Sequence, residues 1–337
     1  MNLSIVLPGL IWLDKGDINY LYPKLKTPNL NSLIKHSYLS NLNHSYSDII
    51  LSTYYANDPN VKNNDKIAEQ IAKSNNLSHF KYYLIAEPTH LRVDRDRLLI
   101  SEPGLLQLKR EEMFIIRNTI NSHFKDELKL YNITDELWLL GTNIDISKIN
   151  FYPTLDIIGE NIDGYLAQGE NSIQLNKMLN EIQMLLFKLD FNKKRKSEGL
   201  LSVNSLWLWN KDIKKELLKE FGKNTNISSI KMPDKDKKDF LYSGLEDGSF
   251  NNKLLIINHL HASCCYRDHR AWINNVEDFD NNLGSILNSF FKKNKIKKLN
   301  IFLPLTDKTL KLQLNSIDKF KFWKNINLLK IVKGYGA

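Results

Sequence analysis

Three short runs of this chain are apolar with almost no alternation: Leu3–Leu7 (LSIVL), Leu254–Asn258 (LLIIN) and Leu299–Leu303 (LNIFL). A strand wetted on one face alternates polar and apolar side chains. A strand apolar at successive positions must be covered on both faces, which is the habit of parallel sheets sandwiched by helices. The three runs are therefore expected as neighbouring or near-neighbouring parallel strands of one sheet. After the second run, Ala271, Val276, Phe279 and Leu283 recur at helical spacing, so a strand feeds a loop and then a helix. That loop carries His259, His261, Cys264, Cys265, Asp268 and His269, the densest set of potential metal ligands in the chain. In an open α/β sheet, this is where the ligand crevice forms, outside the carboxyl ends of the strands.

With 337 residues, 42% of them hydrophobic and 25% charged, the chain has material for one large core or two joined domains. Forty-seven basic against 38 acidic residues give a net charge of +9, mostly as Lys scattered among Asn, Asp and Glu. Such a pattern describes a solvated face, and no nucleic-acid-binding motif accompanies it. The two cysteines are adjacent, a poor geometry for bridging each other, so no disulfide framework is implied and a reducing cytoplasm is the natural setting. The opening MNLSIVLPGLIWLDKGD is too short an apolar run for a membrane span and lacks a basic leader; it is expected to be the first strand.

Along the chain, Thr27 is placed to cap a helix beginning at Pro28, and a helix start beside a strand end is a natural anion site. Ser45, Ser47 and Asp48 precede another apolar run and suit a turn and cap. Helices are expected over 66–73 and 109–124, and strands over 82–86, 128–131 and 137–140. The segment 87–100, rich in Arg and Asp, is expected to be an exposed strand in which Arg92 is a candidate clamp for phosphate or carboxylate. These pieces suggest a small α+β lobe over 88–150, interrupting a core of 1–87 and 151–337. Beyond it come a strong amphipathic helix over 174–189, a basic turn at Lys193–Lys196, an extended stretch at 202–209 (SVNSLWLW), and a polar excursion at 222–239.

Residues 154–169 (TLDIIGENIDGYLAQG), 180–186 (NEIQMLL), 192–199 (NKKRKSEG) and 203–209 (VNSLWLW) resemble the central region of archaeal-type cofactor-independent phosphoglycerate mutases, members of the alkaline phosphatase superfamily. They also resemble the bacterial branch labelled RpfE-type regulatory proteins. Arg92–Leu98, Glu111-Glu112 and Asn121 are similar to that family's inserted domain, and Thr27–Leu30 to its first helix. The resemblance implies an α/β fold: an alkaline-phosphatase-like parallel-sheet core, helices on both faces, and an inserted α+β lobe. In active members it implies two divalent metals (Mn, Mg or Zn) and a serine that carries the phosphoryl group, matched here by Ser47 in Tyr46-Ser47-Asp48, with Asn57-Asp58-Pro59 closing the motif. Arg92 and Asn204 stand where anion contacts are implied.

The chain departs from the pattern at the metal ligands. Pro8-Gly9 replaces the Asp-Gly that ends the first strand, Ser263–Tyr266 stands where an acidic, His-bearing motif is expected, and Asp307 is followed by Lys308 with no later histidine. The sequence thus implies a degenerate member without the dinuclear site, regulatory or phospho-ligand-binding, with no cofactor and with a phosphorylated small molecule or a protein as partner. An active mutase or phosphatase using Ser47 is one alternative. A mononuclear metal site built from His259, His261, Cys264 and Cys265, with His269 and Asp307 as further candidates, is another.

Overall fold

The three apolar runs lie side by side. A computed structural model describes residues 1–54, 61–94, 96–101, 106–221, 226–227, 243–317 and 327–335. The excursion expected over 222–239 and the end of the Ser47 motif, Asn57–Pro59, fall outside the described residues, apart from Asn226–Ile227.

In chain order the elements used below are β1 (Asn2–Val6), α1 (Pro28–Lys35), β2 (Tyr38–Leu42), α2 (Tyr46–Tyr54), α3 (Ile67–Ser74), β3 (Tyr82–Thr89), β4 (Leu91–Asp94), β5 (Arg97–Ile100) and α4 (Arg110–Phe124). There follow β6 (Leu128–Asn132), β7 (Trp138–Thr142), α5 (Ser172–Phe187), α6 (Asp190–Ser197), β8 (Ser205–Trp209), β9 (Asn226–Ile227) and β10 (Lys253–Ile256). The chain continues through α7 (His261–Cys265), α8 (His269–Phe279), α9 (Ser285–Lys292), β11 (Lys298–Pro304), β12 (Thr309–Asn315) and α10 (Leu328–Tyr335). Two compact units result, one of residues 1–56 with 216–337 and one of residues 57–215.

The first unit holds a six-stranded sheet in the order β2-β12-β11-β1-β10-β9. β1 is parallel to both β10 and β11, and β10 is parallel to β9; β12 and β2 add antiparallel strands at one edge. The molecule is thus of the mixed α/β class with a mostly parallel central sheet, as expected. Leu3, Ile5 and Leu7 align with Leu255 and Ile257, Leu299, Ile301 and Leu303 on one face, which packs against α1, α8, α9 and α10. The other face is buried too but partly polar: Asn300 Nδ2 donates to Ser4 Oγ at 3.2 Å, and Lys311 pairs with Glu220 of the short helix Leu218–Phe221 at 2.7 Å.

Thr27 does precede α1, but its side chain makes no cap. The start of α1 is held instead by Asp280, which is fully buried: its Oδ1 accepts from Leu30 N at 2.6 Å and its Oδ2 from Asn29 N at 3.2 Å. The anion site read from the sequence is therefore filled by the chain's own carboxylate. Asp280 lies in a single π-helical turn, Asp280–Gly284, that joins α8 to α9.

The second unit is a βαββαβ arrangement. Its sheet runs β6-β7-β3-β8 with every neighbouring pair antiparallel, the split-βαβ or ferredoxin-like order. Alternate residues of the strands, among them Leu84, Leu130, Leu140 and Leu208, form a core with Met113, Ile116 and Ile120 of α4 and Leu175, Met178 and Ile182 of α5. The lobe expected over 88–150 is thus part of a larger unit: β3, α5 and β8, assigned from the sequence to the core, supply two of the four strands and one of the two helices. The basic turn at Lys193–Lys196 is helical, inside α6, because Arg195 points inward. Its Nη1 donates to Glu112 Oε2 at 2.9 Å, its Nε to Leu201 O at 2.7 Å and its Nη2 to Leu106 O, and the residue is 2% exposed. Among the described residues, no helix is long and apolar enough to cross a membrane.

Candidate functional site

The loops at the carboxyl ends of β1, β10 and β11 belong to the first unit, and the sequence places most of the candidate chemistry there. After β1 the chain turns through Pro8-Gly9. Gly9 has φ +83° and lies so close to the following loop that a Cβ would sit 2.6 Å from Leu260 O, so only glycine fits this approach. The next residues are pinned from several sides. Trp272 Nε1 donates to Gly9 O at 2.7 Å, Trp12 N donates to Tyr22 Oη at 2.8 Å, and Tyr22 Oη donates to Leu10 O at 3.3 Å. Burial holds the Tyr22 phenol well above its ordinary pKa, so it stays a donor.

Ser47 stands in the first turn of α2. Ser45 N donates to Asp48 Oδ2 at 2.9 Å and Asp48 N to Ser45 Oγ at 3.4 Å, a reciprocal cap that gives these residues the structural role their types suggest. Ser47 Oγ lies 3.0 Å from Ser45 Oγ, which lies 3.4 Å from Asp48 Oδ2; His44 Nδ1 is 3.9 Å from the same carboxylate oxygen. A chain of hydroxyls thus leads from Ser47 to a carboxylate and an imidazole. Ser47 itself is 1% exposed. The segment joins the strand-end loops through Tyr46, whose ring lies 5.3 Å from that of His261, and through Thr309 Oγ1, which donates to His44 O at 2.7 Å.

The His/Cys loop does not converge on one point. His259 Nε2 lies 3.7 Å from Asp278 Oδ2 of α8, while His261 is buried against Tyr46. Cys264 Sγ donates to Ile11 O at 3.3 Å, and both Cys264 and Cys265 are buried and not joined in a disulfide. His269 Nε2 lies 2.8 Å from Asp17 Oδ2, which also accepts from Trp12 Nε1 at 3.3 Å, and the His269 ring packs on Trp12 with centroids 5.0 Å apart. Asp307 is exposed in the β11–β12 turn, closed by Leu305 N donating to Lys308 O at 2.7 Å. Among the described residues, no three His, Cys, Asp or Glu side chains gather as a metal-holding group. The described His and Cys side chains are thus spread over separate contacts and are not gathered as the mononuclear site considered from the sequence would need.

The two anion candidates lie in the second unit. Asn204 uses both ends of its amide on the backbone of Leu91: Oδ1 accepts from Leu91 N at 2.7 Å and Nδ2 donates to Leu91 O at 2.8 Å. With these two bonds it anchors the start of β4 to the residue before β8. Arg92 is exposed on β4 of the β4–β5 hairpin. The partners that sequence reasoning missed are Asp17, Trp12, Tyr22 and Asp280. Each is about 250 residues from the residue it holds, except Tyr22, and no local spacing announces such pairs.

The described geometry defines a mixed α/β protein with strand-end loops tied together by internal hydrogen bonds. No protein-family model matches the chain, and no curated protein matches it. Among solved structures it is similar to the cofactor-independent phosphoglycerate mutase from Thermoplasma acidophilum DSM 1728, at 13% identity and TM-score 0.40 over 100% of each chain. It is also similar to the PH0037 protein from Pyrococcus horikoshii, at 13% identity and TM-score 0.48 over 98% of this chain and 92% of that one. Neither similarity bears on the chemistry of the strand-end loops.

Proposed function

We propose that this chain is a degenerate phosphoglycerate-mutase-like protein of the alkaline phosphatase superfamily, cytoplasmic, without the dinuclear metal site, and serving as a regulatory or phospho-ligand-binding protein. The family part of this reading rests on the sequence resemblance over residues 154–209. The observation that carries the loss of catalysis is the commitment of the would-be ligands: His269 to Asp17, Cys264 to Ile11 O, and a proline at position 8 where a ligating carboxylate is required. A divalent cation needs several anionic or imidazole groups in fixed geometry, and Pro8 offers none. The burial of Ser47 supports the same reading.

The test is a coupled assay for interconversion of the two monophosphoglycerates, with Mn, Mg and Zn supplied in turn, on the wild-type chain and on Ser47→Ala. Turnover indistinguishable from the Ser47→Ala background is the expected result. Metal-dependent turnover that vanishes in the variant would overturn the proposal.

A further inference from the structure

We propose that the outer edge of β2 is a self-association surface, on which a second copy of this chain pairs its own β2 antiparallel about a two-fold axis. β2 is the outermost strand of the six-stranded sheet. The hydrogen-bond phase of that sheet fixes which of its backbone groups point outward. At the β11–β12 turn Leu305 N donates to Lys308 O at 2.7 Å, and at the far end Ser316 N donates to Lys297 O at 2.8 Å. Bonded and unbonded pairs alternate along an antiparallel ladder, so Leu310, Leu312 and Leu314 turn their backbone groups to β11, while Thr309, Lys311 and Gln313 turn theirs to β2. The partners of these last three are Leu42, Ser40 and Tyr38. Leu39 and Asn41 therefore present N–H and C=O away from the sheet, where they meet no backbone or side-chain partner among the described residues.

Proteins ordinarily blunt an outer strand with Lys, Pro, a bulge or a covering element. The second unit does so at β6, also an outermost strand, where the Asn121 amide of α4 takes both Leu130 N, at 2.7 Å, and Leu130 O, at 3.0 Å. β2 carries none of these devices. It reads Tyr-Leu-Ser-Asn-Leu, uncharged and without proline, its register with β12 runs without a bulge, and Tyr38, Ser40 and Asn41 are exposed.

The same five residues are complementary to themselves. With the two-fold at Ser40, Leu39 stands opposite Asn41 of the second copy and Asn41 opposite its Leu39, so the outward groups of both are in phase and each pair exchanges two hydrogen bonds. Tyr38, 47% exposed, then meets Leu42 of the second copy, an aromatic–aliphatic cross-strand pair, and no like charges oppose one another. An axis at Leu39 would call on Ser37 N, which already donates to Ile34 O at 3.0 Å, and an axis at Asn41 would run past Leu42, where β2 ends. This self-match is what selects a second copy over an unrelated extended peptide. The two six-stranded sheets become one continuous sheet.

Sedimentation velocity of the full chain at a series of concentrations tests this. A single strand pair is a small interface, so a reversible dimer with a Kd of about 10–100 µM is expected. In the proposed register the two Ser40 Cα atoms lie about 4.5 Å apart, within disulfide reach. Ser40→Cys should therefore cross-link into a dimer under mild oxidation, and Asn41→Cys, opposite Leu39, should not; Cys264 and Cys265 are buried, and the wild-type chain gives their background. Ser40→Lys and Ser40→Glu each set like charges face to face and should weaken the dimer about fivefold, whereas their equimolar mixture should recover it, which also shows that both variants fold. A chain monomeric at about 500 µM, a dimer indifferent to both charge variants, or cross-linking at Asn41→Cys equal to that at Ser40→Cys would each overturn the proposal.

Discussion

Asp280 shows how one side chain can replace a ligand. A helix start leaves backbone N–H groups without partners inside the helix, and at α1 two of them, together with the Asn29 amide, converge on a single buried carboxylate. Hydrogen bonds to a charged acceptor contribute about 1.5–3 kcal/mol each, and removing the acceptor strands the donors. Asp280→Ala should lower stability by about 3 kcal/mol, read as a lower urea midpoint at unchanged slope. Glu87 makes the opposite case. Partly buried on β3 and bonded by Thr154 Oγ1, it is raised above its ordinary value of 4.5, chiefly by burial and against the pull of Thr154 and Trp209. The folded chain therefore binds more protons than the unfolded chain between 4.5 and the raised value, so stability falls as pH rises through that window. Glu87→Gln should leave stability unchanged below pH 4.5 and raise it at neutral pH, which thermal melts across the pH range will register.

Elements were legible where burial wrote itself into neighbouring residues. The continuous apolar character of β1, β10 and β11 gave away both their strand state and their shared sheet, since only a doubly covered strand reads that way. The charged string at 193–196 misled for the converse reason. Three of its four residues are solvated, and nothing local distinguishes Arg195, whose partner Glu112 lies 83 positions away. The pair also accounts for two stretches of the sequence resemblance, Glu111-Glu112 and NKKRKS, as a clamp between α4 and α6. Removing one member of a buried ion pair leaves the other uncompensated, so Arg195→Leu should cost about 4 kcal/mol in denaturant unfolding, far more than Lys194→Leu beside it. The strand-end loops were legible as a location, and their wiring was not. His269, Cys264 and Asn204 are residue types that ligate or bind anions, yet each is held by a group remote in sequence. Gly9→Ala should destabilise by about 3 kcal/mol, combining left-handed backbone strain with the clash at Leu260; the denaturation midpoint measures it.

At the scale of the whole molecule, residues 57–215 form one uninterrupted segment with its own four-stranded sheet, covering helices and core. Expressed alone, this segment should fold, giving a single cooperative urea transition and a native-like circular dichroism spectrum; a featureless spectrum would contradict the division. The first unit has no such independence of order. Its interior strand β1 precedes both of its neighbours, β10 and β11, with the whole of the second unit in between. Val6 waits for Ile256 on one side and Phe302 on the other. At common rates of translation that interval is roughly 10–50 s, during which an apolar strand has neither edge paired. By then the 57–215 segment has emerged whole and can already be native. The nascent chain thus carries a foldable domain behind an apolar strand that still awaits both of its pairing partners.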